Sequence, residues 1–467
     1  MLKKIVVIAV LLLVNLAAVF ITVIGPWPTY GPSDVESEGY YRTAIAAIDE
    51  CAAERQVSER PGPLRAGWAA ASITPGVGTP LAGFGSRKGR PSTGVHDGLD
   101  IRAVAFSDAD DVVVIAGSDL LIVPENVAEL AREKVAARVP LSPRNLLFNA
   151  SHTHAGPGAW GPGLVAKEFS GTYDPAVVEL LAEGFSNAIV GAYNAMAPAA
   201  LAHGGVDAPD YIRNRTRDAC TDSELGYLVV RRDDGQRCYI VRYSAHATVT
   251  GSGNMEFSAG YPGCLRRAIE EETGAFAVFL GGAVGSMSAR PGDGADGFAR
   301  AERMGAALGR MVVEHARDER LDFQREVDVA TVGVPIDLPP FQLRLNRSWR
   351  VSPFLLPVSG IDGDGWIHGA RLGEVFLYGV PCDFSGEISV DLRQSVAARG
   401  LDLWVTSFNG DYGGYVSPDR YYATADQDKQ VYEMYTMSWL GPNQEALFTG
   451  LLEHLVDTMA PGAAPAS

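Results

Sequence analysis

The chain has 467 residues, of which 47% are hydrophobic and 20% are charged, so it can bury a large core and is expected to fold on its own. Its formal net charge of −17 argues against nucleic acid as a partner and against a general affinity for anionic lipid surfaces, because like charges repel. The expected partner is therefore neutral or small.

The N-terminus begins with a long apolar stretch. Two lysines, Lys3 and Lys4, precede 21 uncharged residues from Ile5 to Gly25, which is long enough to span a bilayer. A cleaved signal peptide has a shorter apolar region and small residues at the cleavage site. We therefore predict an uncleaved membrane anchor over residues 1–27, with a cleaved signal segment as the alternative. Lysines held in the cytoplasm would place the remaining chain in the periplasm or at the cell surface, or in the medium if the segment is cleaved.

Short apolar runs then alternate with amphipathic stretches. Residues 28–63 are polar and predict a stalk with one helix at 42–54; the folded domain is expected over 64–460, followed by a tail at 461–467. The pattern indicates strands at 100–107, 111–118, 144–151, 226–232, 238–245, 275–282, 373–380 and 402–408. It indicates helices at 124–139, 175–195, 263–272, 297–317, 385–399 and 443–459. This alternation predicts an α/β domain, with residues 318–371 as a less regular insertion.

The five cysteines have no spacing typical of a zinc site. Cys220 and Cys238 flank a predicted turn and could form a disulfide in an oxidising compartment. The odd number of cysteines leaves at least one thiol free.

Histidine and acidic side chains stand at the ends of several predicted strands. His152 and His154 in NASHTHAGPG are two residues apart, and side chains at this spacing on an extended backbone face the same way. His246 follows another strand, and Asp383 follows a third. Zinc in a catalytic site takes such ligands from separate strand ends. Taken singly, the histidines could instead be buried residues bonded to backbone, and Asp383 could cap a helix.

Two further loops carry hydroxyl groups. FLGGAVGSMSARPG is a glycine-rich turn with Ser286 and Ser288, and it lacks the GKS/T of a phosphate-binding loop. FNGDYGGYVSPDRYY places Tyr412 and Tyr415 after a strand, where packing is the alternative role.

In this order, the motifs resemble the neutral (non-lysosomal) ceramidases, zinc amidases that split ceramide into a sphingoid base and a fatty acid. The resemblance covers roughly residues 64 to 455 and implies a mixed β-sheet core flanked by helices. It is carried by GWAAASITPGVGTPLAGFG, GVHDGLDIRAVAF, GSDLLIVPENV, SHTHAGPG, RNRT, SAHATVTG, AGYPG, GGAVGSMSAR, VPCDFSGE, YGGYVSPDRYY and VYEMYTMSWLGPN.

The resemblance also implies roles for single residues. One zinc ion would be held by a set of four ligands, and four further residues would take part in catalysis. The implied ligands are His152, His246, Asp383 (where the family has glutamate) and Tyr415; the implied catalytic residues are His154, Arg215, Ser288 and Tyr432. His154 would move protons beside the metal, while Arg215 and Tyr432 would stabilise the oxyanion.

The chain departs from the family at several positions. The segment from Gly285 to Ala289 replaces a Gly-Asp/Asn-x-Ser-Pro loop, although Ser288 keeps its hydroxyl. The aspartate at 383 is one methylene shorter than glutamate, and Tyr432 is a few residues further from Tyr415. The immunoglobulin-like C-terminal domain of the family is expected to be absent.

We therefore predict a membrane-anchored zinc hydrolase that cleaves the amide bond of an N-acyl lipid, with ceramide as the leading substrate. One alternative is a zinc amidase or esterase on another small or cell-wall molecule. A second is a relative without catalysis that binds a lipid or a partner.

Overall fold

A computed structural model describes residues 2–54, 61–108, 110–217, 220–355, 363–423, 432–441 and 443–460. The helices are α1 Leu2–Val23, α2 Gly39–Ala53, α3 Glu125–Ala136, α4 Leu164–Ser170, α5 Pro175–Asn194, α6 Gly260–Thr273, α7 Gly297–His315, α8 Gly386–Ala397, α9 Arg420–Ala423 and α10 Gln444–Met459. The first strands are β1 Trp27–Pro28, β2 Gly62–Pro63, β3 Arg65–Ser72, β4 Gly94–Val95, β5 Asp100–Ser107, β6 Val112–Ser118, β7 Leu146–Ala150, β8 Ala197–Asp207, β9 Ile212–Asn214, β10 Glu224–Arg232 and β11 Arg237–Tyr243. The others are β12 Glu256–Phe257, β13 Phe276–Gly281, β14 Met287–Ala289, β15 Glu326–Val327, β16 Val329–Asp337, β17 Trp349–Arg350, β18 Asp364–Leu372, β19 Val375–Val380, β20 Asp383–Phe384, β21 Asp402–Ser407 and β22 Tyr415–Val416.

Two mixed sheets form the centre of the described chain. The larger has eight strands in the order β13-β11-β10-β8-β3-β5-β6-β7, and the smaller has four in the order β16-β18-β19-β21. Most neighbours are antiparallel, but β6 with β7, β11 with β13 and β19 with β21 are parallel. The predicted α/β class and mixed sheet are confirmed.

The sheets stack face to face between layers of helices. Side chains that alternate along β5 point to opposite faces: Ala103 and Ala105 meet α5, while Val104 and Phe106 meet the second sheet. Trp404 of the smaller sheet is fully buried in this intersheet core. Helices α6 and α7 cover the β11 end of the large sheet, and α2, α8 and α10 cover the outer face of the small sheet. The result is a helix–sheet–sheet–helix arrangement.

The ends of three parallel strand pairs meet at one place, where Asn149 joins them. Its side-chain amide donates to the carbonyls of Gly281 and Ser407, both at 2.9 Å, and its carbonyl oxygen accepts from Gly281 N at 2.8 Å. The side chain is fully buried. It therefore fixes the end of β7 against β13 and β21, just before His152.

Several parts of the chain differ from the sequence prediction, and β3 and β8 of the large sheet are not among the predicted strands. Residues 318–371 contain β16 and β18, which pair along nine residues each and form one side of the small sheet. The predicted stalk contains α2, whose Ala44 and Ile48 are buried in the core, so this helix packs against the domain. All five cysteines are free, with Cys238 buried inside β11 and Cys220 exposed, so the disulfide is not formed. The predicted tail at 461–467 lies outside the described residues.

Helix α1 has the length and composition to cross a membrane. Its span Lys3–Val23 has a mean hydropathy of 3.0, and none of it is buried within the protein. Its exposed apolar surface suits either a signal anchor or a signal peptide.

Candidate metal centre

Three histidines converge at the ends of two strands. His152 and His154 follow β7, and His246 follows β11. The Nε2 atoms of His152 and His246 are 3.0 Å apart, and Nε2 of His154 lies 3.1 Å from His246 and 3.3 Å from His152. All three side chains are buried. The three imidazoles lie in one cluster, and His154 belongs to it as closely as the two predicted ligands.

The backbone at this site is not the extended strand that the sequence predicted. His152 has a φ of 60°, in the left-handed region that residues with a Cβ rarely adopt. Phe408, at the end of β21, has a φ of 67°, and its ring stacks on His152 with centroids 4.5 Å apart. Because strained residues of this kind persist only where their surroundings hold them, the turn and the stacked ring together set the direction of His152.

The three imidazoles differ at their second nitrogen. Nδ1 of His152 lies 2.7 Å from the carbonyl oxygen of Leu121, and Nδ1 of His246 lies 3.2 Å from that of Val284. Each of these nitrogens can donate its proton to a carbonyl, which leaves the Nε2 lone pair free to bind a metal. Nδ1 of His154 is buried and has no hydrogen-bond partner among the described residues. His154 therefore lacks the anchor that fixes the tautomer of the other two.

Asp383 completes the floor of the site from β20, which follows strand β19 of the smaller sheet and pairs with β22. Its Oδ1 lies 3.6 Å from Nε2 of His152 and accepts no hydrogen bond from any described residue. Its Oδ2 accepts a hydrogen bond of 2.7 Å from the hydroxyl of Tyr412. The carboxyl group is fully buried, and its neighbour on the paired strand β22 is Tyr415.

The tyrosine loop made Tyr412 a candidate beside Tyr415, but the resemblance implied a ligand role for Tyr415 alone. Tyr412 stands three residues before Tyr415 in the same glycine-rich loop. The choice between the two tyrosines depended on which hydroxyl reaches the carboxylate, and that is set by the fold.

Tyr415 and Tyr432 line the cavity, and Arg215 contacts Tyr415 without being among the lining residues. The guanidinium group of Arg215 donates to the Tyr415 hydroxyl at 3.2 Å and to the carbonyl of Gly285 at 2.9 Å. Its Nε lies 2.8 Å from a carboxylate oxygen of Glu433, which holds the arginine in place. The rings of Tyr415 and Tyr432 are 5.4 Å apart, and Tyr432 is 46% exposed at the mouth of the cavity.

Ser288 is not brought to the cavity wall. It lies in β14, paired with Arg213 of β9, and its backbone forms a bridge with His246. Ser286 is buried, where its hydroxyl lies 3.2 Å from that of Ser385 and accepts from Gly386 N at 3.0 Å. The serine loop therefore supports the backbone beneath the site.

A cavity of about 390 Å³ opens above His152, His154 and Asp383. Its wall is mostly apolar, with one acidic edge. The apolar wall includes Leu121, Ile122, Trp160, Phe169, Met437 and Trp439. Glu125 and Asp411 form this edge, and their carboxylate oxygens lie within 4.8 Å of one another and of a carboxylate oxygen of Asp364, which does not line the cavity. An apolar cavity with a few polar groups at its floor is the usual form of a site for a small ligand.

Burial shifts the pKa of each histidine and of Asp383 at the floor in the direction that favours the neutral form of the side chain. Burial lowers the pKa of His152 to about 3, and it lowers those of His154 and His246 well below 6.5. Burial raises the pKa of Asp383 to about 7, against the opposing effect of the Tyr412 hydrogen bond. Neutral imidazoles are the form that binds a metal, and a nearby cation would favour the ionised carboxylate.

These residues fit a metal ion. Zinc–nitrogen bonds of about 2.0–2.1 Å at tetrahedral angles hold two ligand nitrogens roughly 3.3 Å apart. The three Nε2 distances of 3.0, 3.1 and 3.3 Å match that separation. The unpartnered Oδ1 of Asp383 adds an oxygen donor on the same side. The three histidines could therefore hold a metal, and the carboxylate could join them.

Comparison with known proteins gives consistent matches. A family model described as "Neutral/alkaline non-lysosomal ceramidase, N-terminal" matches residues 65–224. A neutral ceramidase of Mycobacterium tuberculosis is 29% identical over 132 residues, which is 27% of this chain and 21% of that protein. The match thus spans about a fifth of the length of this curated relative.

Two solved structures are similar over most of the chain. The neutral ceramidase from Pseudomonas aeruginosa has a TM-score of 0.72 at 18% identity, covering 88% of this chain and 76% of that one. A structure titled "Ceramidase complexed with C2" has a TM-score of 0.71 at 18% identity, covering 87% and 77%. At these identities the likeness establishes the fold.

Proposed function

We propose that the chain, whose residues 65–224 match the neutral/alkaline non-lysosomal ceramidase family model, is a zinc-dependent hydrolase that cleaves the amide bond of an N-acyl lipid, with ceramide as the leading substrate. The observation that carries the proposal is the convergence of three buried Nε2 atoms and an unpartnered carboxylate oxygen beneath an apolar cavity. The cluster of nitrogen and oxygen donors at the floor of the cavity suits metal-assisted hydrolysis, and the apolar wall of the cavity suits an acyl chain.

The residues that would hold zinc are His152, His246 and Asp383, with Tyr415 as a fourth ligand. The two histidines have Nδ1 on a backbone carbonyl, as metal-binding histidines almost always do. A zinc ion at this floor would act as a Lewis acid, which lowers the pKa of a bound water molecule toward about 7 and polarises the amide carbonyl. Tyr412 holds the carboxylate of Asp383 in the orientation that this role needs.

His154 is the residue we assign to proton transfer. It reaches the same cluster through Nε2, yet its Nδ1 has no partner among the described residues, so neither tautomer is fixed. A neutral imidazole of this kind can accept a proton from the attacking water and release it to the leaving amine.

Arg215 and Tyr432 are assigned to the negative charge that develops on the carbonyl oxygen. The arginine is held by Glu433 and needs little reorganisation to donate a hydrogen bond. Donors fixed in this way are typically worth about 3 to 4 kcal/mol in the transition state. Ser288, which lies off the cavity wall, is given no part in the reaction.

The test is metal content together with amide hydrolysis by the purified full chain in detergent. We expect about one zinc per chain, removal of activity by a chelator, and release of a sphingoid base and a fatty acid from N-acyl-sphingosine in preference to a panel of soluble amides. His152→Ala should lose both zinc and hydrolysis. His368→Gln is the matched control, because it removes a buried imidazole that lies outside the cluster, bonded to Thr331. Absence of zinc, or full hydrolysis by His152→Ala, would contradict the proposal.

A further inference from the structure

A segment between the two strands β16 and β18 exposes large apolar side chains. In residues 339–355, Leu345 is 56% exposed, Trp349 is 44% exposed and Phe354 is 61% exposed. Single apolar residues at the surface are common, but several on one short segment point to a surface that contacts something apolar.

The same segment is attached to the end of α1. Strand β1 pairs with β17, which places Trp27 opposite Arg350. The backbone N of Ser352 donates to the carbonyl of Ile24 at 3.0 Å, and its hydroxyl donates to the carbonyl of Thr22 at 2.5 Å. Residues that bind the last turn of a membrane-spanning helix must lie at the membrane surface, because the helix ends there.

The composition of the segment suits the interfacial layer of a bilayer. Residues 339–355 contain three arginines and no aspartate or glutamate, in a chain whose net charge is −17. Arg350 lies 4.2 Å from the ring centroid of Tyr30 and 5.6 Å from that of Trp27, and Trp27 contacts Phe354. Arg344 and Arg350 are buried within the protein, so Arg347 is the exposed arginine of the segment that can contact lipid phosphate. Tryptophan and tyrosine are enriched where a membrane meets water.

The other side of the segment touches the wall of the cavity. Phe341 packs on Trp439 with ring centroids 5.4 Å apart, and Gln342 N donates to the Trp439 carbonyl at 2.9 Å. Trp439 lines the cavity and lies 5.6 Å from Tyr412, the residue that holds Asp383. Residues 339–355 therefore connect the end of α1 with the catalytic cavity.

We propose that residues 339–355, together with Trp27, form a docking surface that rests on the bilayer in which α1 is inserted and brings the cavity to lipids held in that bilayer. This deepens the proposed function and rests on it for the identity of the lipid. The surface sets the orientation of the domain, so that an N-acyl lipid reaches the cavity from the membrane.

The first test measures only where residues 339–355 lie relative to the bilayer, and it does not depend on hydrolysis. The full chain is reconstituted in phosphatidylcholine vesicles with and without lipid brominated near the head group, and tryptophan fluorescence is recorded. We expect the brominated lipid to quench wild type more than Trp349→Phe, since Trp349 lies in the interface. Trp68→Phe, which changes a tryptophan of the large sheet, should be quenched as wild type is. Equal quenching of wild type and Trp349→Phe would overturn the proposal.

The second test measures whether the docking surface is needed for a lipid held in a bilayer to reach the cavity. Leu345→Gln and Phe354→Gln are combined, and Val95→Gln is the control, because Val95 is 43% exposed on β4. We expect the double variant to hydrolyse vesicle-embedded N-acyl-sphingosine at least tenfold more slowly, with an unchanged rate on a short-chain N-acyl substrate in detergent micelles. An equal loss on both substrates, or no loss on either, would overturn docking. If wild type cleaves neither substrate, the proposed function fails, and the quenching result still decides whether the surface docks.

Discussion

Gly83 offers a direct test of the role of His154, because it packs against the imidazole. Its φ is +113°, and a Cβ built there would lie 2.5 Å from Nδ1 and 2.8 Å from Cγ of His154. Favourable contacts between such atoms fall at about 3.5–4.0 Å. In Gly83→Ala the ring must therefore move by about 1 Å, or the backbone must move by as much.

Two effects of this substitution can be separated. An alanine at positive φ costs on the order of 1–3 kcal/mol of stability wherever it is placed. Gly78→Ala has the same strain, with a φ of +107°, and its Cβ would meet nothing within 4 Å. Displacement of His154 is specific to Gly83→Ala, and a shift of about 1 Å in a catalytic group can lower the rate by about 100-fold.

The comparison needs three measurements on wild type and the two variants: hydrolysis of N-acyl-sphingosine, zinc content and melting temperature. We expect both variants to melt at a similarly lowered temperature, and only Gly83→Ala to lose about 100-fold in kcat while keeping its zinc. Equal activities of the two variants would refute the role of His154. Loss of zinc from Gly83→Ala in parallel with activity would show instead that His154 is a ligand.

Two further predictions concern buried hydrogen bonds. Tyr412→Phe removes the donor to Asp383 Oδ2, so we expect zinc affinity to fall by about 10- to 100-fold in a chelator competition assay. Tyr421→Phe, which removes a phenol–carboxylate bond to Glu387 away from the cluster, should leave that affinity unchanged, and equal effects of the two would contradict the assignment. Burial lowers the pKa of His368 to about 3, so its contribution to stability is present above about pH 6.5 and is lost as the pH falls toward 3. The difference in unfolding free energy between wild type and His368→Gln should therefore shrink by about 2 kcal/mol from pH 7 to pH 5 in urea titrations, and an equal difference at both pH values would contradict this.

Much of the fold follows from local patterns in the sequence. β5 was predicted at 100–107 and is found at Asp100–Ser107, and α5 was predicted at 175–195 and is found at Pro175–Asn194. These elements have a strong period of two or 3.6 residues, and a helix start marked by Asp174 and Pro175. The sequence also placed His152, His246 and Asp383 at strand ends, which is where the structure has them.

The parts that escaped prediction depend on contacts distant in sequence. β16 and β18 lie in a stretch without a clear local pattern, and they are stabilised by pairing with each other and with β19. Helix α2 has a weakly polar sequence, and only its contact with α10 and β16 shows that Ala44 and Ile48 are core residues. No spacing rule indicates that a segment between β16 and β18 meets the end of α1.

The position of His154 shows the limit of motif reasoning at the site itself. An extended backbone predicts parallel side chains, but the left-handed turn at His152 brings both Nε2 atoms to one point instead. Three buried imidazoles in contact and an unpartnered carboxylate oxygen of Asp383 are each unfavourable without a cation, because burial pushes all four toward neutrality. A divalent cation would bind the neutral imidazoles and neutralise the carboxylate, so one ligand would remove all of these costs together. The stability of the folded chain should accordingly rise with metal concentration, and a site that was only a set of buried core histidines would show no such dependence.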